Sequence, residues 1–183
     1  MKGKMLLGLT AILMLTGAAV PVKADDVWKF DAQRFVLKEY TGTETDVVVS
    51  DTMDEGVPVK RLGTQLLAGS ETLTSVVVPD SVTILDVGAL SYDNNLSEIT
   101  LSSNLINIGW NAISSNDALT ELTIPASVCI IDSYAVSGCY ALKKIVFEGA
   151  CPLIGSEAFV MLSDDVVIYV PDDQIEEYKK VFE

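Results

Sequence analysis

The chain repeats one pattern of apolar and polar positions at a fixed interval. Leu73, Leu96, Leu119 and Leu142 stand 23 residues apart, and each of them closes a unit that begins with a short alternating run. A period of roughly 20–50 residues is typical of stacked repeats, in which each coil buries its apolar side chains against its neighbours. The pattern therefore predicts a solenoid of 23-residue coils rather than a globular domain with one central core.

Within each unit, two apolar columns are separated by one outward column, which is the period-2 pattern of a short strand with one buried face. The first column holds Val76, Ile99, Leu122 and Ile145, and the second holds Val78, Leu101, Ile124 and Phe147. One strand per coil predicts a parallel sheet of about five coils, in a fold between α/β and mostly β.

A further column alternates glycine with aspartate at Gly63, Asp86, Gly109, Asp132 and Gly155. Glycine, and to a lesser extent aspartate, tolerates left-handed backbone geometry, so this column predicts a tight turn of that kind. A column of alanines three residues later predicts a short helical turn packed closely on the sheet.

These columns resemble the BspA-type leucine-rich repeat of secreted and surface bacterial proteins, with the pattern L-x-x-I-x-I-P-x-x-V-x-x-I-G-x-x-A-F followed by C-x-x-L. The resemblance covers roughly residues 46–171. Pro79 and Pro125 match the proline of the pattern, whereas Ser102 and Glu148 replace it. The resemblance implies a leucine-rich-repeat solenoid, an extracellular location and a binding role, and it brings no shared catalytic residues.

Changes in the pattern divide the chain into four segments. They are a signal peptide at 1–24, an N-terminal cap at 25–45, the solenoid at 46–165, and a C-terminal strand with a capping helix at 166–183. The bulky residues before Tyr40 predict a hairpin over the first coil, and an insertion around Asp54 predicts an exposed loop. Asp173 and Glu176 have the spacing of a capping box. Continuation of the natural chain past Glu183 is left open.

The N-terminus has the features of a secretory signal peptide. Lys2 and Lys4 precede an apolar run that ends near Val20, and a small-residue site follows at Ala24. The run is shorter than the about 20 apolar residues of a spanning helix. We therefore expect a secreted or cell-surface chain without stable membrane insertion after cleavage. Cleavage would change the formal charge from 12 − 26 = −14 to 9 − 26 = −17, which argues against nucleic acid as a partner.

Few residues of the chain point to catalysis or metal binding. Histidine is absent, which removes the commonest general base and zinc ligand. Asn- and Asp-rich loops at 93–95 and 116–117 offer oxygen ligands for calcium, but turns need the same residues. We therefore predict no enzyme, no metal site and no cofactor. A disulfide among Cys129, Cys139 and Cys151 stays an open alternative.

The predicted sheet would present Glu98, Thr100, Glu121, Thr123 and Lys144 outward. Glu98 and Glu121 would then lie on adjacent strands, about 4.8 Å apart at the backbone. Retaining glycosidases use carboxyl groups about 5–5.5 Å apart, but one of the two must be kept protonated by a low-dielectric pocket. A solvated acidic row is the simpler interpretation.

Trp110 replaces smaller residues in its column and is predicted to be an exposed aromatic that binds a sugar or partner, or that covers a gap between coils. Together these features predict an exported, non-enzymatic repeat protein that binds an extracellular protein or glycan, in adhesion or host interaction. Two alternatives stay open, namely a secreted carbohydrate-active enzyme that uses Glu98 and Glu121, and a structural spacer of a larger surface protein. The identity of the ligand and the oligomeric state are not predicted.

Overall fold

The computed structural model describes residues 27–53 and 56–182. The predicted signal peptide, Asp54 and Glu55 of the predicted loop, and Glu183 lie outside these ranges. Within the ranges, no helix combines the length and the apolar character that crossing a membrane requires.

The described residues form short strands and one C-terminal helix. In chain order the elements are β1 (Trp28–Asp31), β2 (Val36–Tyr40), β3 (Asp46–Val48), β4 (Thr52–Met53), β5 (Val57–Pro58), β6 (Arg61–Leu62), β7 (Ser75–Val77), β8 (Ile84–Leu85), β9 (Glu98–Thr100), β10 (Asn107–Ile108), β11 (Glu121–Ile124), β12 (Ile130–Ile131), β13 (Lys144–Phe147), β14 (Leu153–Ile154), β15 (Val167–Tyr169), a 3-10 turn (Asp172–Gln174) and α1 (Ile175–Phe182).

Each coil contributes strands to two separate parallel ladders. The longer strands form two three-stranded sheets, in the orders β3-β7-β9 and β11-β13-β15, and β9 contacts β11 where the two sheets meet. The two-residue strands stack in the order β6-β8-β10-β12-β14, continued by the antiparallel hairpin β1-β2. We call this seven-stranded ladder the short-strand sheet. The solenoid fold is thus confirmed, and the short-strand sheet is an addition that the sequence pattern did not predict.

The core is built from the apolar columns that the repeat predicts. Val76, Leu122 and Ile145 are at most 1% exposed, and Ile99 is 8% exposed. The column of alanines is also buried. Leu85 and its counterparts add side chains from the short-strand sheet to the same core cluster. Burial of these columns is the main source of stability, because each coil covers the apolar side chains of its neighbours.

The glycine–aspartate column does not adopt left-handed geometry, so that prediction is wrong. Positive φ angles occur two residues later instead, for example at Gly88 (62°) and Asn111 (55°). Glycine is needed in the column itself because coils approach closely there. A Cβ on Gly109 would lie 2.6 Å from the carbonyl oxygen of Leu85 in the preceding coil. The residues after the column form one turn per coil, closed by Ala112 N–H donating to the Gly109 carbonyl at 3.0 Å.

The two ends of the solenoid are covered as the sequence predicts. At the N-terminus, the β1-β2 hairpin pairs with β6, and Trp28 packs against Tyr40 with ring centroids 4.4 Å apart. At the C-terminus, Tyr178 of α1 is buried and donates its hydroxyl to the Gly149 carbonyl at 3.2 Å. Asp173 is not an N-cap as the predicted capping box requires, since it lies within the 3-10 turn Asp172–Gln174, whose own N-cap is Pro171.

Candidate functional site

The outward side chains of β3, β7, β9, β11, β13 and β15 form one surface, which we call the long-strand face. Strand register aligns them in two rows within each of the two sheets, and the 23-residue period continues both rows from β9 to β11. The first row holds Asp46, Ser75, Glu98, Glu121, Lys144 and Val167, and the second holds Val48, Val77, Thr100, Thr123, Val146 and Tyr169. Polar residues therefore occupy the middle of the face, and apolar residues occupy its two ends in the second row.

Five of the six predicted binding residues lie together on this face. Glu98 and Thr100 are exposed on β9, Glu121 and Thr123 are exposed on β11, and Lys144 is half-exposed on β13. Their placement follows from the repeat, because every coil offers the same two outward positions next to the buried columns. The structure thus joins side chains that are 23 residues apart in sequence into one polar patch.

One ion pair lies at the centre of the long-strand face. Lys144 Nζ donates to Glu121 Oε2 at 3.0 Å, and it lies 6.0 Å from the centroid of the Tyr169 ring. Both partners are exposed to solvent, so the pair contributes less than about 1 kcal/mol to stability. Glu98, the other carboxylate of the patch, is aligned in register with Ser75 and not with a cation.

Asp46, the charged residue of the first row on β3, is hydrogen-bonded to neighbouring side chains. It accepts hydrogen bonds from the hydroxyls of Ser75 at 2.6 Å and Thr74 at 3.2 Å. The bond from Ser75, followed by one from Thr45, lowers the pKa of Asp46. Asp46 therefore stays ionised at neutral pH and acts in holding β3 to β7.

The patch does not have the geometry of a glycosidase site. Glu98 and Glu121 lie on contacting strands, but β9 and β11 belong to separate sheets rather than to one continuous ladder. Both carboxyl groups are exposed, and Glu121 is already paired with Lys144. A proton donor for glycoside hydrolysis needs a desolvated carboxyl, which this surface does not supply.

Trp110, the sixth predicted residue, lies elsewhere on the molecule. It follows β10 of the short-strand sheet and is 47% exposed. Its ring packs edge-on against Tyr134, with centroids 6.3 Å apart and an interplanar angle of 74°. Trp110 is therefore not part of the long-strand face.

Two residues of the acidic loops that suggested calcium, Asp93 and Asn116, belong to the core, whereas Asn94, Asn95 and Asp117 are exposed in turns. Asp93 and Asn116 are both 0% exposed. Asn116 Oδ1 accepts the Asp93 N–H at 3.0 Å, and Asn116 Nδ2 donates to the carbonyls of Leu90 and Ile113 at 2.8 and 2.9 Å. In the described parts of the chain, no group of three His, Cys, Asp or Glu side chains is placed to hold a metal ion.

The buried carboxyl group of Asp93 lies in an environment that disfavours its charged form. Its Oδ1 accepts the Ser70 N–H at 2.6 Å, but its Oδ2 is buried without a partner among the described residues. Burial raises the pKa of Asp93 to about 7, against the effect of backbone hydrogen bonds from Ser70 and Gly69. Asp93 belongs to a column of equivalent positions that the sequence could have shown, because its members are 23 residues apart. They are Ser70, Asp93, Asn116 and Cys139.

The three cysteines are free thiols in different environments. Cys129 is exposed, Cys151 is half-buried and Cys139 is buried, with its Sγ 3.3 Å from the Ile113 carbonyl oxygen. Burial raises the pKa of Cys139 to about 11. Cys139 thus fills the position that Asn116 occupies one coil earlier, as a small buried side chain rather than a reactive thiolate.

Comparisons with known proteins agree with this architecture. The family model for the BspA type leucine rich repeat region matches residues 60–182 in 6 copies. A leucine-rich repeat protein from Bacteroides capillosus is similar in structure, with a TM-score of 0.59 and 32% identity, over 70% of this chain and 98% of that one. No curated protein matches the chain significantly.

Two other solved structures support the fold alone. A leucine rich repeat protein from T. pallidum has a TM-score of 0.56 and 20% identity, over 90% of this chain and 97% of that one. A leucine rich cell surface protein from Faecalibacterium prausnitzii has a TM-score of 0.54 and 18% identity, over 86% of this chain and 52% of that one.

Proposed function

The chain belongs to the BspA-type leucine-rich repeat family, and we propose that it is an exported, non-enzymatic module that binds an extracellular protein or glycan through its long-strand face. The observation that carries this proposal is the central patch of exposed Glu98, Thr100, Glu121 and Thr123 beside Lys144. These side chains project from strands that a buried core holds in fixed register. A rigid array of this kind lowers the entropy cost of binding.

The charge of the patch indicates what kind of partner it fits. Two glutamates and one lysine leave it acidic, and two threonines add hydroxyls that both donate and accept hydrogen bonds. A basic peptide surface or the hydroxyl groups of a glycan would complement this pattern. Apolar contact is available at the C-terminal end of the face, where Tyr169 is 52% exposed and Val167 is 50% exposed. Aromatic side chains at such positions commonly anchor a partner.

The location of the protein is part of the same proposal. The apolar run behind Lys2 and Lys4 supports export, and one structural neighbour is described as a cell surface protein. An extracellular partner follows from that location.

A binding screen against extracellular-matrix proteins and a glycan array tests the proposal. The purified protein would be compared with a Glu98→Ala/Glu121→Ala/Lys144→Ala variant. The matched control is Glu71→Ala/Glu177→Ala/Lys180→Ala, which makes the same charge change and also removes one Glu–Lys pair, but away from the face. We expect a ligand that the control retains and the face variant loses.

Other outcomes of the screen would contradict the proposal. A ligand retained by the face variant would move the site to another surface. Absence of any ligand at micromolar concentration would favour a structural spacer. Turnover of a glycan, abolished by Glu121→Gln without loss of fold, would establish an enzyme.

A further inference from the structure

A second candidate site lies where the N-terminal hairpin meets the first coil. A cleft of about 590 Å³ opens there, on the short-strand sheet. Its charged and polar lining consists of Arg34, Lys38, Arg61, Thr64 and Asp86. Arg34 and Arg61 are the only arginines in the whole sequence. Their convergence is unexpected in a chain with a formal charge of −14.

The cleft exists because of the glycine that the coil spacing requires. Leu37 pairs with Leu62, and Leu62 with Leu85, so Lys38, Gly63 and Asp86 follow at the same level on three neighbouring strands. Gly63 N–H donates to the Leu37 carbonyl at 2.8 Å, and a Cβ on Gly63 would overlap that carbonyl oxygen. No side chain therefore fills the space between Lys38 and Asp86.

Further along the solenoid, the same column of the repeat carries the opposite charge. Gly109 stands in the same column and is flanked by Asp86 and Asp132. Basic side chains therefore stand beside Gly63, where the hairpin contributes Arg34 and Lys38, whereas acidic side chains stand beside Gly109. The positive charge of the cleft thus comes from Arg34 and Lys38 of the hairpin together with Arg61 of the first coil, and it does not recur at Gly109.

The cations of the cleft are only partly neutralised by the protein. Lys38 pairs with Asp31 at 2.7 Å, and Arg61 pairs with Asp86 through Nη2. Arg61 Nε is buried without a partner among the described residues. The guanidinium of Arg34, on the exposed turn of the hairpin, makes no hydrogen bond or salt bridge within the described chain. The hydrogen bond from Lys38 chiefly lowers the pKa of Asp31, and the positive charge of Arg34 adds to this effect. Three cations thus line the cleft, and Asp31 and Asp86 pair with two of them, which leaves Arg34 as the cation without an ion-pair partner among the described residues.

We propose that this cleft binds a monosaccharide unit that carries a carboxylate, of the uronic acid class. Arginine forks match the geometry of carboxylates in two parallel hydrogen bonds, and Arg34 and Arg61 hold the carboxylate. A volume of about 590 Å³ exceeds the needs of a bare anion and lies in the range of small-ligand sites. Thr64 offers a hydroxyl to the sugar ring. This site is separate from the long-strand face and does not depend on it.

An NMR titration of the purified ¹⁵N-labelled protein with glucuronate tests the proposal. Glucose serves as the neutral control, and acetate at equal ionic strength serves as the bare-anion control. We expect saturable amide shifts around Arg34, Arg61 and Thr64 with glucuronate, and markedly weaker binding of both controls. The Glu98→Ala/Glu121→Ala/Lys144→Ala variant should bind glucuronate unchanged, which separates this site from the proposed face.

Two pairs of variants test the roles of Arg34 and Arg61, and each pair compares a change in the cleft with the same change outside it. Arg34→Gln should weaken glucuronate binding about fivefold or more, because one charge-assisted contact is lost. Lys29→Gln makes the same charge change on β1, where Lys29 pairs with Glu39 outside the cleft lining, and should have no effect. Asp86→Asn frees Arg61 and should tighten binding about fivefold, whereas Asp132→Asn, in the same column two coils further on, should not.

Three results would overturn the proposal. The first is a lack of saturable shifts at millimolar glucuronate, and the second is equal affinity for acetate and glucuronate. The third is equal weakening by Arg34→Gln and Lys29→Gln, because that would reduce the effect to the overall charge of the protein.

Discussion

Asp93→Asn should stabilise the protein at neutral and alkaline pH. The buried carboxyl of Asp93 has its pKa raised from 3.8 to about 7, chiefly by burial, and its Oδ2 has no partner among the described residues. The next coil shows what the amide would do, since Asn116 at the equivalent position donates to two backbone carbonyls, those of Leu90 and Ile113. The substitution installs in one coil the arrangement that the neighbouring coil already uses.

The magnitude follows from the linkage between proton binding and folding. A carboxyl whose pKa is higher in the folded state contributes stability that is fully present below pH 3.8 and is lost as the pH rises to about 7. The difference of about three pH units corresponds to about 4 kcal/mol. The unfolding free energy of Asp93→Asn minus that of the wild type should therefore grow by about 1.4 kcal/mol per pH unit between pH 5 and 7, and level off above.

Urea denaturation followed by circular dichroism at pH 5, 6, 7 and 8 measures this difference directly. Taking the difference between the two proteins cancels the titration of all other groups. Asp117→Asn, an exposed carboxylate next to Asn116, is the control and should change stability by less than about 0.5 kcal/mol at every pH. A pH-independent difference for Asp93→Asn, or an equal effect of Asp117→Asn, would refute the reasoning.

Three further predictions concern the repeat and the N-terminus. Gly109→Val should destabilise the protein by about 3 kcal/mol or more, since the new Cβ would lie 2.6 Å from the Leu85 carbonyl oxygen; thermal unfolding at an unchanged midpoint would disprove the close approach. Ser102→Ala should cost about 1–2 kcal/mol, because the buried Ser102 hydroxyl donates to the Val82 carbonyl at 2.6 Å and accepts the Asn104 N–H at 3.1 Å; denaturant melts that coincide with the wild type would argue against it. The intact mass of protein exported from a bacterial host should correspond to a chain that begins at Asp25, and a mass that retains residues 1–24 would contradict signal cleavage.

The sequence predicts the solenoid well because its period is a property of packing. Val76 and Leu122 recur at the same place in each coil, and both are buried in the structure. The sequence does not predict the short-strand sheet, because strands such as Ile84–Leu85 are only two residues long. A strand of two residues is too short to show an alternating pattern of apolar and polar positions. Stacking of coils, rather than local propensity, aligns these residues into a ladder.

The error in the glycine–aspartate column also comes from contacts between stacked coils, which a single sequence does not show. Glycine at Gly109 is required by the backbone of the neighbouring coil rather than by its own φ angle, and a single sequence does not distinguish these causes. The turn at Asn94 and Asn95 agrees with the preference of asparagine and aspartate for turns, but that preference does not show that the Asp93 side chain is buried. Of the candidate site, the five residues of the long-strand face could be grouped from the period, but the cleft at Gly63 depends on how the hairpin docks.

The most direct test of the binding proposal is hydroxyl-radical footprinting of the protein with the partner that the screen identifies. Tyr169 on the long-strand face and Trp110 outside it are 52% and 47% exposed, so they are matched aromatic reporters in one molecule. The proposal predicts that the partner protects Tyr169 and Lys144 from oxidation and leaves Trp110 as reactive as in the free protein. Protection of Trp110 with an unchanged Tyr169 would contradict it.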